Sequence, residues 1–150
     1  VSNVIFRLKP YHGGSVREIV RRPKMYGFDT GLVAWVSGID EIRESDRGLL
    51  WEHLVLDDLR SMLPDRHFSY WRDKSGREID FIVRRERNIV DTIEAKMNAN
   101  RIEISNVAAF RGLYPQGRNY IVVPYAERPH KLRISDYAFT VCEPSAVSVE

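Results

Sequence analysis

Residues 76–96 read GREIDFIVRRERNIVDTIEAK. Two apolar runs of strand length, rich in isoleucine and valine, flank a charged turn, which is the pattern of a β-hairpin. Each run carries an acid that a sheet interior disfavours, Asp80 in the first and Glu94 in the second. Across a hairpin, residues equidistant from the turn oppose each other. A turn centred on Arg87 therefore sets Asp80 against Glu94, with Cβ atoms about 4.5–5.5 Å apart on one face. Lys96 shares that face, roughly 6–7 Å further along the strand. On the other face Phe81 meets Ile93 and Ile79 meets Ala95, which is core material. Glu78 falls on the face away from Asp80 or just outside the strand, in a supporting position at most.

Two opposed carboxylates repel each other. One of them takes up a proton, or a hard divalent cation such as Mg²⁺ or Mn²⁺ removes the conflict. A lysine bridging two acids on a solvated sheet face accounts for the hairpin residues equally well.

A helix expected over residues 47–63, GLLWEHLVLDDLRSML, has Asp46 as its cap and Pro64 after its end. At about 100° per residue, Trp51, Val55, Leu56, Leu59, Met62 and Leu63 make one wide apolar arc, with His53, Asp57, Arg60 and Ser61 opposite. Glu52 falls inside the apolar arc. An unpartnered buried carboxylate costs several kcal/mol, so Glu52 needs a buried base or a metal shared with the hairpin.

Elsewhere, strands are expected at 4–8, 24–28, 68–73, NYIVVPY and YAFTVCEP. A short helix is expected before Pro23, another through GLVAWVSG capped by Asp29 or Thr30, and a third from Ser105 through NVAAFRGLYP. Strands and helices alternate, so the class is α/β.

The composition narrows the function classes. The chain has 150 residues, 29% charged and 43% hydrophobic, with a net charge of +2, which suits one globular domain of mildly basic character. No apolar run approaches the roughly 20 residues that span a bilayer. Cys142 is the single cysteine, so no internal disulfide forms and a cytoplasmic setting is expected. The four histidines have no zinc-ligand spacing, and Gly13–Gly14 lacks the GK[ST] of a phosphate-binding loop. Arg17, Arg21, Arg22, Lys24, Arg72, Lys74, Arg77 and Arg101 are the candidate phosphate contacts to DNA. Tyr70 and Trp71 read as packing residues.

A glutamate on a first helix, an aspartate on a strand and Glu-x-Lys on the next strand, here Glu52, Asp80, Glu94 and Lys96, resemble the PD-(D/E)XK (restriction-endonuclease-like) nuclease superfamily. The blocks RRPKMYGFDTGL, GLLWEHLVLDDL, YWRDKSGREIDFIV and IEAK, in that order, are similar to the uncharacterised, nuclease-like C-terminal domain of a large group of prokaryotic AAA-type ATPases. The resemblance implies a restriction-endonuclease-like core, a mixed central sheet flanked by helices. It implies metal-dependent hydrolysis of DNA, with Asp80, Glu94 and the carbonyl of Ala95 holding Mg²⁺ or Mn²⁺. Glu52 would ligate a second ion or orient a water, and Lys96 would position the nucleophile. It further implies an upstream ATPase module in the same protein. Residues 1–38 are then a strand and basic linker to that module, consistent with a sequence that opens at Val1, and 39–150 the nuclease-like domain. The alternative is a catalytically silent module of this fold that binds DNA or protein and regulates the ATPase.

Overall fold

The computed structural model describes residues 5–13, 22–64 and 67–148. Arg17, Arg21 and the short helix expected before Pro23 lie outside the described residues.

Eight strands form one mixed sheet: β1 (Ile5–Pro10), β2 (Lys24–Gly27), β3 (Phe68–Arg72), β4 (Glu78–Arg84), β5 (Val90–Ala95), β6 (Asn119–Val122), β7 (His130–Ile134) and β8 (Tyr137–Cys142). Their order across the sheet is β2-β1-β3-β4-β5-β6-β8-β7. Among the described residues three α-helices accompany them: α1 (Thr30–Val36), α2 (Glu44–Met62) and α3 (Ile104–Leu113). The class is α/β, as expected from the alternation of elements. The N-terminal strand is part of this sheet: β1 runs parallel to β3 through Lys9↔Ser69 and Pro10↔Tyr70. β7 was not expected: HKLRI is largely exposed, and its apolar alternation is limited to Leu132 and Ile134.

The sheet is packed on both faces, and side-chain alternation decides which residue goes where. Phe81, Val83, Ile93, Ala95, Tyr120 and Val122 form one core with Val55, Leu56 and Leu59 of α2. Ile82, Val90, Ile121 and Val141 form the other with Val107 and Phe110 of α3. Tyr70 and Trp71 are each 1% exposed and sit in the core, as their sequence context suggests.

Helix ends depart from the sequence reading. Asp29 caps α1, accepting from the Leu32 amide at 2.9 Å. In α2 the cap is Arg43, and Asp46 occupies the third helical position, where it accepts from the Arg43 amide at 2.9 Å. Asp46 thus satisfies the amide behind it rather than starting the helix, and with Glu44 it complements the positive end of the helix dipole. α3 begins at Ile104 with Glu103 at the cap and no side-chain cap bond; Ser105 is already inside the first turn. The helical wheel misplaced His53. It is 8% exposed, because the β1–β2 hairpin covers that flank of α2 and the Gly27 amide donates to His53 Nδ1 at 3.0 Å.

The β4–β5 hairpin has the register that a turn about Arg87 requires: Phe81↔Ile93, Ile82↔Thr92, Val83↔Asp91 and Arg84↔Val90. The partnership of β4 with β3 is irregular. Ser69 pairs with Ile82 and Trp71 with Ile79, so Asp80 and Phe81 together oppose Tyr70. This is a β-bulge, with two residues standing where one would normally fit. It reverses the alternation below it: Ile79 joins the α3 core beside Ile82, and Glu78 turns to the side occupied by α2.

Candidate functional site

The bulge and the end of β5 bring the acids of the hairpin to one place. Lys96 Nζ donates to Asp80 Oδ2 at 2.8 Å and lies 2.7 Å from Glu94 Oε2. The Ala95 amide also donates to Asp80 Oδ2, at 3.0 Å. The Ala95 N–H thus helps to fix the Asp80 carboxylate. Glu94 is 2% exposed, and among the described residues its Oε1 has no hydrogen-bond partner. Burial raises the pKa of Glu94 well above the carboxylate range, and repulsion from Asp80 adds to this. Burial acts against the Lys96 ammonium, but Asp80 and Glu94 outweigh it and hold the lysine charged.

A second group of charges adjoins the first. Carboxylate oxygens of Glu52, Glu78 and Asp80 lie within 4.8 Å of one another. Lys24 Nζ sits between two of these acids, donating to Glu52 Oε1 at 2.7 Å and Glu78 Oε1 at 2.6 Å. The Tyr26 hydroxyl donates to the same Glu52 oxygen, and Arg72 forms a close ion pair with Glu78 Oε2. Glu52 thus has the buried base that its place on the helix demanded, and that base is Lys24. Burial, reinforced by Glu52, raises the pKa of Tyr26 far beyond the phenol range, so its hydroxyl stays a donor.

Glu52, Asp80, Glu94 and Lys96, remote in sequence, accordingly lie in one connected cluster. Glu78 and Lys24 belong to it and were not read that way. Glu78 is brought in by the bulge, which depends on the partnership with β3 and leaves no mark in the hairpin sequence. Lys24 carried a usable signal: Lys-x-Tyr on a strand puts Lys24 and Tyr26 on one face.

The donor set suits a hard divalent cation. Oxygens of Glu52, Glu78 and Asp80 are close enough to share an ion, and near them Glu94 Oε1 is buried and without a hydrogen-bond partner among the described residues. Asp80 is common to that group and to the pair with Glu94 on which the sequence reading rested.

The expected phosphate contacts are scattered. Arg77 is tied to Asp73, with Nε–Oδ2 at 2.7 Å and a second nitrogen at 2.6 Å, inside the β3–β4 turn. Lys74 is exposed in the same turn, where it and Arg77 line a shallow recess of about 370 Å³ with Trp71 and Leu113. Arg101 is exposed in a short 3-10 turn, Ala99–Arg101, shortly after Lys96. Arg22 is exposed, and its carbonyl accepts from the Tyr70 hydroxyl. Cys142 is buried, and burial pushes its thiol up to about 11, so it is no nucleophile. Among the described residues no helix is long and apolar enough to cross a membrane.

The elements from α2 to β8 correspond to a family already described by sequence: residues 47–141 match the Domain of unknown function (DUF4143). This chain belongs to the DUF4143 family. Two mycobacterial proteins, Uncharacterized protein Rv2008c of Mycobacterium tuberculosis and Uncharacterized protein Mb2031c of Mycobacterium bovis, are each 33% identical to it over 84 residues, or 53% of the chain. The match covers about a fifth, 19%, of the length of each of these relatives. Among solved structures, a chain from the refined half-complex of the tetradecameric assembly of Thermococcus gammatolerans McrB AAA+ hexamers with bound McrC aligns over 63% of this chain and 27% of its own. The TM-score is 0.44 and the identity 15%. A score of that size does not establish a shared fold.

Proposed function

We propose that this DUF4143 domain is a divalent-cation-dependent nuclease of the restriction-endonuclease-like kind, hydrolysing DNA phosphodiester bonds. The observation that carries the proposal is the convergence of Lys96 on Asp80 and Glu94, at 2.8 and 2.7 Å, with Glu52 beside Asp80. Support also comes from the order α2, β3, β4, β5, α3, β6, in which β3 to β6 are neighbours in the sheet.

Mg²⁺ or Mn²⁺ bound by Asp80 and Glu94, with the Ala95 carbonyl as a further ligand, would supply Lewis acidity and a nucleophile at neutral pH. The chain's own groups do the rest. Lys96 is kept cationic by its two acids and places a fixed positive charge where negative charge grows on the phosphate. Glu52, anchored by Tyr26, is positioned to orient a water at the edge of the cluster. Lys74, Arg101 and Arg22 present exposed cations to the DNA backbone, and Arg72 and Arg77 do so from within their ion pairs. Lys24, in this reading, serves the carboxylates rather than DNA.

Incubation with supercoiled, linear and branched DNA in Mg²⁺ or Mn²⁺ tests the proposal. Wild type cleaves at least one form, and Asp80→Ala falls to background. Equal cleavage by the two proteins, or no cleavage of any form, overturns it.

One observation favours a second reading. Lys24 bridges Glu52 and Glu78, and Lys96 bridges Asp80 and Glu94, as a silent module would require. Such a module would bind DNA or protein and regulate an attached AAA-type ATPase in the cytoplasm. The similarity of its four sequence blocks to such ATPases supports an ATPase partner in either reading. Tight DNA binding with no Mg²⁺-stimulated cleavage would select the second.

A further inference from the structure

We propose that Lys24 is the built-in counter-ion of the acidic site: it holds Glu52 and Glu78 together where a second divalent cation would bind, so that the site takes one ion and Glu52 acts through Lys24, not as a ligand. This rests on the reading of the cluster as a cation site.

Three observations support it. First, the ammonium contacts both acids at hydrogen-bonding distance, 2.7 and 2.6 Å, on their Oε1 atoms. A second ion bridging Glu52 and Glu78 would have to displace a cation from Glu78, whose Oε1 is held by Lys24 and Oε2 by Arg72. Second, the charge is fixed in place. Lys24 lies on β2, paired with Leu8 of β1, and its Nζ stands 5.6 and 5.8 Å from the ring centres of Tyr26 and Tyr70. Cation–π attraction at such distances favours the seated lysine, and Tyr26 holds Glu52 from the other side. Glu52 and Glu78 outweigh the effect of burial on Lys24, so it remains protonated.

Third, the charges limit the ions. At the Glu52/Glu78 end two carboxylates face two cationic side chains, Lys24 and Arg72, which leaves no charge over for an ion. Without Lys24 that end carries one unmatched carboxylate and is open to a second ion.

Titrating the 150-residue chain with Mn²⁺, with free ion followed by electron paramagnetic resonance, counts the bound ions. Wild type and Lys24→Arg bind one. Lys24→Met, which keeps the apolar stem beside the tyrosine rings, binds two, or binds the first about tenfold tighter. Should Lys24→Met fail to fold, Glu52→Gln decides the matter: it binds one ion with affinity within about threefold of wild type. Lys24 has no such role if wild type binds two ions or none, if Lys24→Met matches wild type in count and affinity, or if Glu52→Gln loses tenfold or more. One ion on wild type with no DNA cleavage refutes the nuclease reading and leaves the role of Lys24 standing.

Discussion

Burial and a neighbouring carboxylate both act against the charged form of Glu94. It is buried, faces Asp80, and shares its one lysine with it. Its folded pKa is raised, so the stability it contributes is full below the unfolded carboxylate value, near 4.3, and is lost as the pH climbs through the folded value. Glu94→Gln removes this dependence. Thermal melts should show Glu94→Gln above wild type at pH 8, with the gap closing towards pH 4. A gap that is constant with pH would contradict the burial-driven shift. Single residues were legible in the sequence where the chemistry was conspicuous: a carboxylate inside an apolar arc, Glu52, or inside a strand, Asp80 and Glu94, announces that it needs a partner. The partner was less legible. Lys24 lies 28 positions before Glu52, in a stretch whose arginines made it look like part of a basic linker.

Among the elements, the hairpin could be read almost completely, because its register follows from the turn. The bulge in β4 could not, since it appears only when β3 is laid alongside. The consequence is large, because it turns Glu78 towards α2 and into the cluster. The segment from α3 to β6 is held by Arg111, which is 7% exposed. Its guanidinium donates to Asn119 Oδ1 at 2.7 Å and to the carbonyls of Val90, Tyr114, Gln116 and Arg118 at 2.7–3.1 Å. No carboxylate touches it directly among these contacts. Arg111→Ala strands several buried acceptors and should cost about 3 kcal/mol or more in chemical denaturation. A loss under about 1 kcal/mol would show that water replaces the guanidinium freely. In the same loop Gly117 has φ of 133°, and a Cβ there would stand 2.0 Å from the Val90 carbonyl oxygen. Gly117→Ala should therefore destabilise by at least about 1 kcal/mol, measured the same way; an unchanged midpoint would mean the loop rearranges at no cost.

For the molecule as a whole, the sequence suggested a seam near residue 38, and the family match begins at residue 47. The sheet runs through that seam. Leu8 is fully buried and Tyr26 4% exposed in the core shared with α2, and β2 carries Lys24 into the acidic cluster. A chain of residues 39–150 should lose cooperative thermal unfolding, because it gives up two strands and their part of one core. Retention of a sharp transition within a few degrees of the full chain would show that the seam is real. The placement of β1 and β2 was hidden because parallel pairing of β1 with β3 joins segments about 60 residues apart (Lys9↔Ser69), and no local pattern encodes such a pairing. The candidate site is likewise a product of the assembled sheet, with acids supplied by α2, β4 and β5. Calorimetric titration of wild type and Asp80→Asn with Mn²⁺ shows whether those acids gather for a cation: wild type should bind and Asp80→Asn should lose at least about tenfold in affinity, whereas equal affinity, or no binding by wild type, would contradict it.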